Sequence, residues 1–427
     1  MQIYQNPSRE KWNQLTARAT SDYSEKLAVV EEVMQHIRQR GDAAIREYTS
    51  KFDRVSIETL RVTEAVLKQA EEELDSQLAQ AIRLAAANIR TFHEAQKTVT
   101  NKIETFPGVS CWQKSHPIEK VGLYIPGGSA PLFSTVLMLA LPAQIAGCRE
   151  VILCTPPDPA GKIHPAILFA AQLCKVSAVF KIGGIQAIGA MAYGSESVPK
   201  VHKIFGPGNS WVTAAKQYVS LNTCSIDMPA GPSELAVVAD HSANPAFVAS
   251  DLLSQAEHGP DSQVLLITTS EEVAEKVAAE VDLQLERLPR KEIAAAALAH
   301  SRTIVLASME QVMDFVNSYA PEHLILQTDD AATLAAKVTN AGSVFIGHYT
   351  PESAGDYASG TNHTLPTNGW ARSVSGLNLE SFCKKITYQE ISREGLQQLG
   401  PVIETMAEAE LLQAHKNAVT LRLNHKD

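Results

Sequence analysis

Short apolar strands alternate with helical segments from residue 120 to residue 346, and this alternation limits the fold more than any other feature of the sequence. Four strand–turn–helix units follow one another between residues 120 and 219. A second series of strands and helices begins at Glu234 and ends with a strand at residues 343–346. Strands that alternate with helices pair in parallel, and the helices cover the faces of the sheet. The sequence therefore predicts an α/β fold with two Rossmann-like α/β domains and mostly parallel sheets.

Helical segments flank this α/β region on both sides. Residues 27–40, 43–51 and 64–96 are predicted helices, and the tail is predicted to be helical from residue 379 to residue 423. The predicted parts are an N-terminal extension at 1–16, a first α/β domain at 17–123 and 235–374 with a helical N-terminal part, a second α/β domain at 124–234, and a C-terminal helical tail at 375–427.

The composition indicates a globular protein and argues against several classes. The chain has 427 residues, of which 45% are hydrophobic and 20% charged. A net charge of −10 argues against a nucleic-acid partner, because phosphate binding requires a basic face. No apolar run could cross a membrane and the N-terminus lacks a signal-peptide pattern, so we expect a cytoplasmic protein without a membrane partner. The six cysteines are isolated, which indicates reduced structural thiols.

Two polar segments that interrupt the apolar pattern carry side chains of the metal-ligand type. Gln255 and His258 are three residues apart at the end of a predicted helix, so they share one of its faces. Asp356 and His363 lie in a loop rich in Gly, Ser, Thr and Asn. A carboxylate, two imidazoles and an amide oxygen form a set of ligands that suits Zn²⁺ with room for substrate. A plain helix C-cap and a solvated surface loop remain the alternative interpretations.

Two Glu and His pairs have side chains suited to proton transfer or binding. Glu322 and His323 follow a proline at the edge of an apolar strand, where a turn lets both reach one cleft. Glu410 and His415 are placed on the last predicted helix, and five residues correspond to about 140° around its axis. They therefore reach one site only if that site wraps the helix or the helix extends to another subunit. A chance surface pair and a solvated helix face remain the alternatives.

Three glycine-containing turns follow strands of the first series. They occupy residues 127–131, 183–186 and 206–209, and each precedes a predicted helix. Such turns let a ligand approach the backbone, and the ligands of parallel sheets collect at the carboxyl ends of the strands. None of the three has the Gly-x-Gly-x-x-Gly pattern of a standard dinucleotide site, so each can also be a plain tight turn.

Taken together, these segments resemble the histidinol dehydrogenase family over nearly the whole chain. The most specific segments are residues 121–128, 205–209, 227–234, 251–259, 321–324, 355–363 and 414–417. The resemblance implies oxidation of L-histidinol to L-histidine in two successive NAD-dependent hydride transfers through histidinal, the last steps of histidine biosynthesis. It also implies zinc that positions the substrate, and a homodimer whose sites are shared between subunits.

The resemblance also implies roles for individual residues. The expected catalytic pair is Glu322, which would activate the water that hydrates the aldehyde, and His323, which would take the alcohol proton. The expected ligands and contacts are Gln255, His258, Asp356 and His415 for zinc; Ser233, His323, His363 and Glu410, with the zinc ligands, for substrate; and Tyr124, Gln186 and Asn209 for NAD. The second α/β domain is then the NAD side, and the tail reaches the partner subunit.

Two other classes remain open from the residues alone. A zinc hydrolase would use Glu322 to activate metal-bound water against an amide or ester, and it would form no NADH from histidinol and NAD⁺. A non-catalytic binding or assembly protein on an inherited enzyme fold would hold no zinc and would show no turnover after zinc addition.

Overall fold

A computed structural model of the chain describes residues 1–18, 24–127, 130–228 and 231–425. The strands are β1 Gln2–Gln5, β2 Ile103–Phe106, β3 Val109–Pro117, β4 Lys120–Tyr124, β5 Glu150–Thr155, β6 Ala178–Lys181, β7 Lys203–Phe205, β8 Ser225–Ile226, β9 Glu234–Ala239, β10 Gln263–Thr268, β11 Arg302–Val305, β12 His323–Gln327, β13 Ser343–Ile346 and β14 Cys383–Ile391. The α-helices are α1 Arg9–Leu15, α2 Ser24–Arg40, α3 Asp42–Tyr48, α4 Glu64–Glu73, α5 Ser76–Glu94, α6 Phe133–Ala146, α7 Pro165–Leu173, α8 Gly184–Tyr193, α9 Ser210–Ser220, α10 Pro245–Ala256, α11 Glu271–Leu285, α12 Lys291–Ala299, α13 Met309–Tyr319, α14 Ala331–Ala335, α15 Glu352–Tyr357, α16 Arg393–Ala409 and α17 Gln413–Leu423.

Two parallel sheets dominate the structure and confirm the predicted α/β class. The chain divides into two compact units, residues 1–96 with 118–382 and residues 97–117 with 383–427. The first unit contains a six-stranded sheet in the order β1-β11-β10-β9-β12-β13 and a five-stranded sheet in the order β6-β5-β4-β7-β8. Neighbouring strands are parallel throughout both sheets.

Each parallel sheet separates two hydrophobic cores because successive side chains of a strand point to opposite faces. In β5, Leu153 packs into one core while Ile152 packs into another on the opposite face. In β9, Val237 and Val238 divide in the same way between two further cores. Both faces of such sheets are covered by helices, which explains why these strands appear in the sequence as continuous apolar runs rather than as alternating ones.

The second unit differs from the predicted helical tail. Cys383–Ile391 forms β14, which pairs with β3 in an antiparallel sheet of order β14-β3-β2 before α16 and α17 begin. The prediction of helix from residue 379 is therefore wrong over this segment. The pairing joins residues such as Tyr388 and Trp112, which are far apart in sequence, so no local pattern could reveal it.

Two predicted helices near the N-terminus also end differently. The helix predicted at residues 64–96 is two helices, because the chain becomes extended at Leu74 and Asp75 caps the second helix by accepting a hydrogen bond from Leu78 N. The helix predicted at 43–51 ends at Tyr48 and continues as a π-helical turn, Thr49–Asp53. All six cysteines carry free thiols. In the described ranges, no helix is both long enough and apolar enough to span a membrane.

Candidate active site

A cavity of about 410 Å³ in the first unit brings together the polar segments singled out in the sequence. The residues that line it are Pro126, Leu132, Ser134, Thr135, Pro207, Gly208, Asn209, Ser210, Thr213, Gly231, Pro232, Ser233, Gln255, His258, Gly259, Asp261, Ser262, Glu322, His323, Asp356, Tyr357 and His363. Asn209 follows β7, whereas Ser233 precedes β9 and His323 begins β12. The cavity thus meets the carboxyl end of a strand of one sheet and the amino ends of strands of the other.

Three of the predicted zinc ligands lie together in the first unit. His258, Asp356 and the carboxylate of Glu352 each place one ligand atom within 4.8 Å of the others. Gln255 lies in the last turn of α10, next to the Glu352 carboxylate. Because a carboxylate can only accept, the Gln255 amide is assigned with its nitrogen toward Glu352, where it donates to Oε2 at 3.2 Å. This hydrogen bond leaves the amide oxygen of Gln255 as a free acceptor. The donor set of imidazole nitrogen, carboxylate and amide oxygen fits a divalent cation such as Zn²⁺.

Glu352 is a site residue that sequence reasoning missed. Its side chain is 1% exposed, and burial raises the pKa of its carboxyl well above the ordinary value. Asp356 was predicted in a loop, but both residues belong to α15, where a spacing of four puts them on one face. The prediction of a loop was wrong because Ser, Gly and Tyr give this short helix little intrinsic propensity. The same spacing of four is the signal that could have identified Glu352.

His323 lies among three carboxylates. Its Nδ1 is 3.7 Å from Glu322 Oε2 and 3.8 Å from Glu352 Oε1, and its Nε2 is 3.6 Å from Asp356 Oδ1. These distances are too long for hydrogen bonds, so the attraction is electrostatic. Burial acts to lower the pKa of His323, but Glu352, Glu322 and Asp356 raise it to about 10. The buried Nε2 has no hydrogen-bond partner among the described residues, so it is available to a ligand.

Glu322 is anchored to the amino end of β9. Its Oε2 accepts a hydrogen bond of 2.9 Å from the backbone N–H of Glu234. The Glu234 carboxylate is in turn held by both Nε and Nη2 of Arg18, each at 2.7 Å. Burial raises the pKa of Glu322 to about 8, although nearby His323 lowers it. Neither Arg18 nor Glu234 was singled out as a site residue, because neither belongs to a recognisable spacing of site residues.

His363 is fixed in orientation at both ring nitrogens. Nδ1 lies 2.9 Å from the backbone oxygen of Asp356, which can only accept, so Nδ1 carries a proton and donates it. Burial lowers the pKa of His363, which favours the neutral ring. Nε2 is then an acceptor, and the hydroxyl of Thr135 donates to it at 3.2 Å. Thr135 was not singled out in the sequence, where a Thr in an apolar helix gives no signal.

The predicted NAD contacts are divided between the cavity and the turn before α8. Asn209 lines the cavity and caps α9, because its Oδ1 accepts from the backbone of Trp211 and Val212. The Tyr124 hydroxyl accepts from Gly184 N at 3.1 Å, and burial raises the pKa of that phenol. Gln186 is fully buried behind the same turn. Of the turn predicted at 127–131, residues 128 and 129 lie outside the described residues.

Glu410 and His415 belong to the second unit and are both exposed in this chain. The predicted placement on one helix is wrong, because Glu410 directly follows α16 whereas His415 lies in α17. Leu411 between the helices has a left-handed φ of 61°, which breaks the helical path. The argument from their spacing on one helix therefore no longer applies.

Comparison with known proteins gives the same family at every level. A family model described as histidinol dehydrogenase matches residues 16–423. Histidinol dehydrogenase of Bacteroides thetaiotaomicron is 59% identical over 424 residues, which cover 99% of each chain. That of Escherichia coli is 54% identical over 418 residues, covering 97% of this chain and 95% of the relative. The crystal structure of histidinol dehydrogenase from Elizabethkingia anophelis superposes with a TM-score of 0.97 at 54% identity, covering 99% of this chain and 98% of that chain.

Proposed function

The chain belongs to the histidinol dehydrogenase family, and we propose from this membership and the cavity that it converts L-histidinol to L-histidine in two NAD-dependent steps at one zinc site. It is an oxidoreductase that oxidises histidinol in histidine biosynthesis, and its family is NAD-dependent and uses a metal. The observation that carries the finer proposal is the convergence of Gln255, His258 and Asp356 with Glu322 and His323 on one cavity.

Gln255, His258 and Asp356 are proposed to hold zinc together with His415 of the partner subunit. When bound, zinc supplies a Lewis acid that chelates and orients the substrate, and NAD⁺ accepts the hydrides. The exposed side chain of His258 and the free amide oxygen of Gln255 support these roles.

The two oxidations need a base, a water molecule and an aldehyde intermediate that stays bound in the site. His323 is proposed to take the alcohol proton while the carbinol carbon loses a hydride, which gives histidinal. Glu322 then takes a proton from the water that adds to the aldehyde, and the resulting gem-diol loses the second hydride to give the carboxylate. Ser233, His363 and Glu410 are proposed to contact the substrate and keep the aldehyde in place. His363 lines the cavity, and the Asp356 backbone and the Thr135 hydroxyl fix the orientation of its ring.

NAD⁺ is proposed to bind along the carboxyl ends of the five-stranded sheet. Tyr124 and Gln186 would position it through the turn before α8, and Asn209 would do so through the start of α9. The segments that carry these residues belong to residues 124–234, which we propose as the NAD-side domain. The proposed remainder is an extension at 1–16, a first domain at 17–123 with 235–374, and a tail at 375–427. The free thiols fit a proposed cytoplasmic location.

The stoichiometry of NADH per histidinol tests the proposed reaction. We expect two NADH per histidinol, no NADH after chelation, and recovery after zinc is added back. A zinc hydrolase would form no NADH from histidinol, and a binding protein would show no turnover with zinc. Either result would contradict the proposal.

Two substitutions separate the proposed roles of the acid–base pair. His323→Asn should slow the oxidation of histidinol most, whereas Glu322→Gln should slow the hydration-dependent oxidation of histidinal more. Rates with each substrate, measured at saturating NAD⁺, give the comparison. Wild-type rates of Glu322→Gln with both substrates would show that its role is wrongly assigned.

Mixing two inactive variants tests whether the dimer shares its sites. Suppose that each active site takes its C-terminal tail from the partner subunit. A heterodimer of one His258→Asn and one His415→Asn subunit then has one intact site, and its other site carries both substitutions. Random subunit exchange should therefore restore about a quarter of wild-type activity. If His415 served its own chain, both sites of the heterodimer would be damaged and no activity would return.

A further inference from the structure

A carboxylate outside the cavity has no part in the function proposed above. Asp53 ends the π-helical turn Thr49–Asp53 that follows α3, and Arg54 behind it has a left-handed φ of 59°. This abrupt end turns the chain away and leaves the Asp53 side chain pointing to the turn before α8. Its Oδ2 accepts a hydrogen bond of 2.8 Å from Nε2 of Gln186.

Asp53 lies at the carboxyl edge of the five-stranded sheet. A Cβ on Gly183 would lie 3.1 Å from Asp53 Oδ1 and 2.5 Å from Cβ of Pro156, which directly follows β5. A Cβ on Gly127, in the turn after β4, would lie 2.4 Å from Cγ of the same proline. The Asp53 carboxylate therefore lies next to the carboxyl ends of β5 and β6, and Pro156 stands between these ends and the turn that follows β4.

The strand order places Asp53 where dinucleotide-binding sheets carry the acidic residue that binds ribose. In the order β6-β5-β4-β7-β8, the chain adds β5 and β6 on one side of β4 and then β7 and β8 on the other side. Open parallel sheets bind dinucleotides in the crevice at such a change of side, here between β4 and β7. In standard dinucleotide sites, an acidic residue at the end of the strand next to the central one accepts a hydrogen bond from a ribose hydroxyl. Here β5 is that strand; it ends at Thr155, and two prolines rather than a carboxylate follow it directly. Asp53 brings one to the same edge from the helical N-terminal region.

The state of the Asp53 carboxyl suits a hydroxyl donor. Burial raises its pKa to about 6, although Gln186 and the Gly183 backbone lower it, so it is ionised at neutral pH. A carboxylate has about four acceptor positions, more than these two donors fill. Within the described ranges no Lys or Arg forms an ion pair with Asp53, so its negative charge is not neutralised. The buried Oε1 of Gln186 is also without a partner there and can accept from a donor.

We propose that Asp53 accepts a hydrogen bond from the 2′-hydroxyl of the adenosine ribose and makes the site select NAD over NADP. The inference rests on the proposed binding of NAD⁺ at this edge of the sheet. A 2′-phosphate would bring two negative charges next to an unneutralised carboxylate in partly buried surroundings, where repulsion is screened weakly.

Kinetics of Asp53→Asn with two cofactors test the proposal. The KM for NAD⁺ should rise about tenfold or more, because a hydrogen bond to a charged group is lost. The KM for NADP⁺ should fall or stay unchanged, so the preference for NAD⁺ narrows, while the KM for histidinol stays the same. Asp240→Asn is the matched control, because Asp240 follows β9 at the carboxyl edge of the other sheet and also accepts backbone and side-chain hydrogen bonds. It should change neither cofactor constant.

The wild-type protein with nicotinamide 2′-deoxyadenine dinucleotide gives a test that does not depend on the variant folding. The KM for this 2′-deoxy cofactor should exceed the KM for NAD⁺ by about the same tenfold. Equal KM values for the two cofactors, or a parallel rise for NAD⁺ and NADP⁺ in Asp53→Asn, would overturn the inference. The parallel rise would mean that Asp53 only holds Gln186 in place. Failure of the wild-type protein to form NADH from histidinol would instead sink the proposed function.

Discussion

Lys216→Met should destabilise the chain strongly, because it leaves a buried carboxylate without its partner. Lys216 in α9 and Asp227 after β8 form an ion pair whose side chains are 4% and 1% exposed. Lys216 Nζ donates to the backbone oxygen of Gly206 at 2.8 Å, and Asp227 Oδ2 accepts from Gly206 N at 2.7 Å. The pair therefore holds both backbone groups of Gly206, whose φ of 125° begins the turn that carries Asn209.

Removing one partner of a buried ion pair costs about 3–5 kcal/mol. Asp227 would still accept from the backbone N–H groups of Gly206 and Met228, both at 2.7 Å, which places the expected loss near the lower end, about 3 kcal/mol. In the double variant Lys216→Met with Asp227→Asn, neither member of the buried pair carries a charge. We expect the double variant to recover about 1–2 kcal/mol of the loss, since an unpaired charge costs more than an unpaired amide.

Urea unfolding of both variants and the parent, followed by circular dichroism at equal zinc concentration, measures these differences. The KM for NAD⁺ should rise in Lys216→Met as the turn loses its support. A loss below about 1 kcal/mol in Lys216→Met, or a double variant less stable than the single one, would refute the reasoning. Either outcome would mean that water or a shifted side chain compensates the buried carboxylate.

Two smaller predictions concern single hydrogen bonds and backbone strain. Thr135→Val keeps the shape of the side chain but removes the hydroxyl that donates to His363, so kcat/KM for histidinol should fall about fivefold or more with the zinc content unchanged. The control variant Thr135→Ser keeps the hydroxyl and should keep the wild-type rate. Equal rates of the two variants would contradict this role of the hydrogen bond. Lys175, exposed after α7, has a φ of 53° and a Schellman-type pair of hydrogen bonds from Lys175 N to Gln172 O and from Val176 N to Ala171 O. Lys175→Gly should therefore raise the free energy of unfolding by about 0.5–1 kcal/mol relative to Lys175→Ala, which urea unfolding can measure.

Local signals were sufficient for the central strands and their helices. Strands β9 and β10 each begin with a polar residue and continue as an uninterrupted apolar run, and polar residues with a helix N-cap follow, so their bounds can be read from the sequence. The antiparallel sheet of the second unit was missed because its strands are half exposed and mixed in polarity, and because β14 is set by pairing with β3 across most of the chain. Pairing over such separations leaves no mark on a short window of sequence.

The site divides in the same way between local and distant information. Gln255 with His258, and Glu322 with His323, are close in sequence, so their spacing could suggest a shared site. Asp53 could not be found like this, because it meets Gln186 only after the sheet has formed. The same holds for Arg18 and its partner Glu234, which are 216 residues apart. A lone acidic or basic residue has no spacing that distinguishes it from surface charge.

Glu352→Gln should separate zinc affinity from stability of the fold. Glu352 accepts from the Gln255 amide and lies 3.8 Å from His323, close to the buried carboxylate of Glu322 and the partly buried one of Asp356. A neutral amide of the same shape keeps the packing and removes one of several buried acids. The metal-free variant should therefore unfold at a temperature no lower than the metal-free parent.

The zinc-bound variant should behave differently from the metal-free one. Groups that orient metal ligands change metal affinity by about 10–100-fold when replaced, which corresponds to about 1.4–2.7 kcal/mol. At a fixed free zinc concentration that saturates the parent, the rise in unfolding temperature on adding zinc should shrink, because stabilisation follows the ratio of zinc to its dissociation constant. Zinc titration against a competing chelator measures the affinity directly. If the metal-free variant unfolds at a lower temperature and the zinc-induced rise is fully retained, Glu352 acts by packing alone and does not orient Gln255.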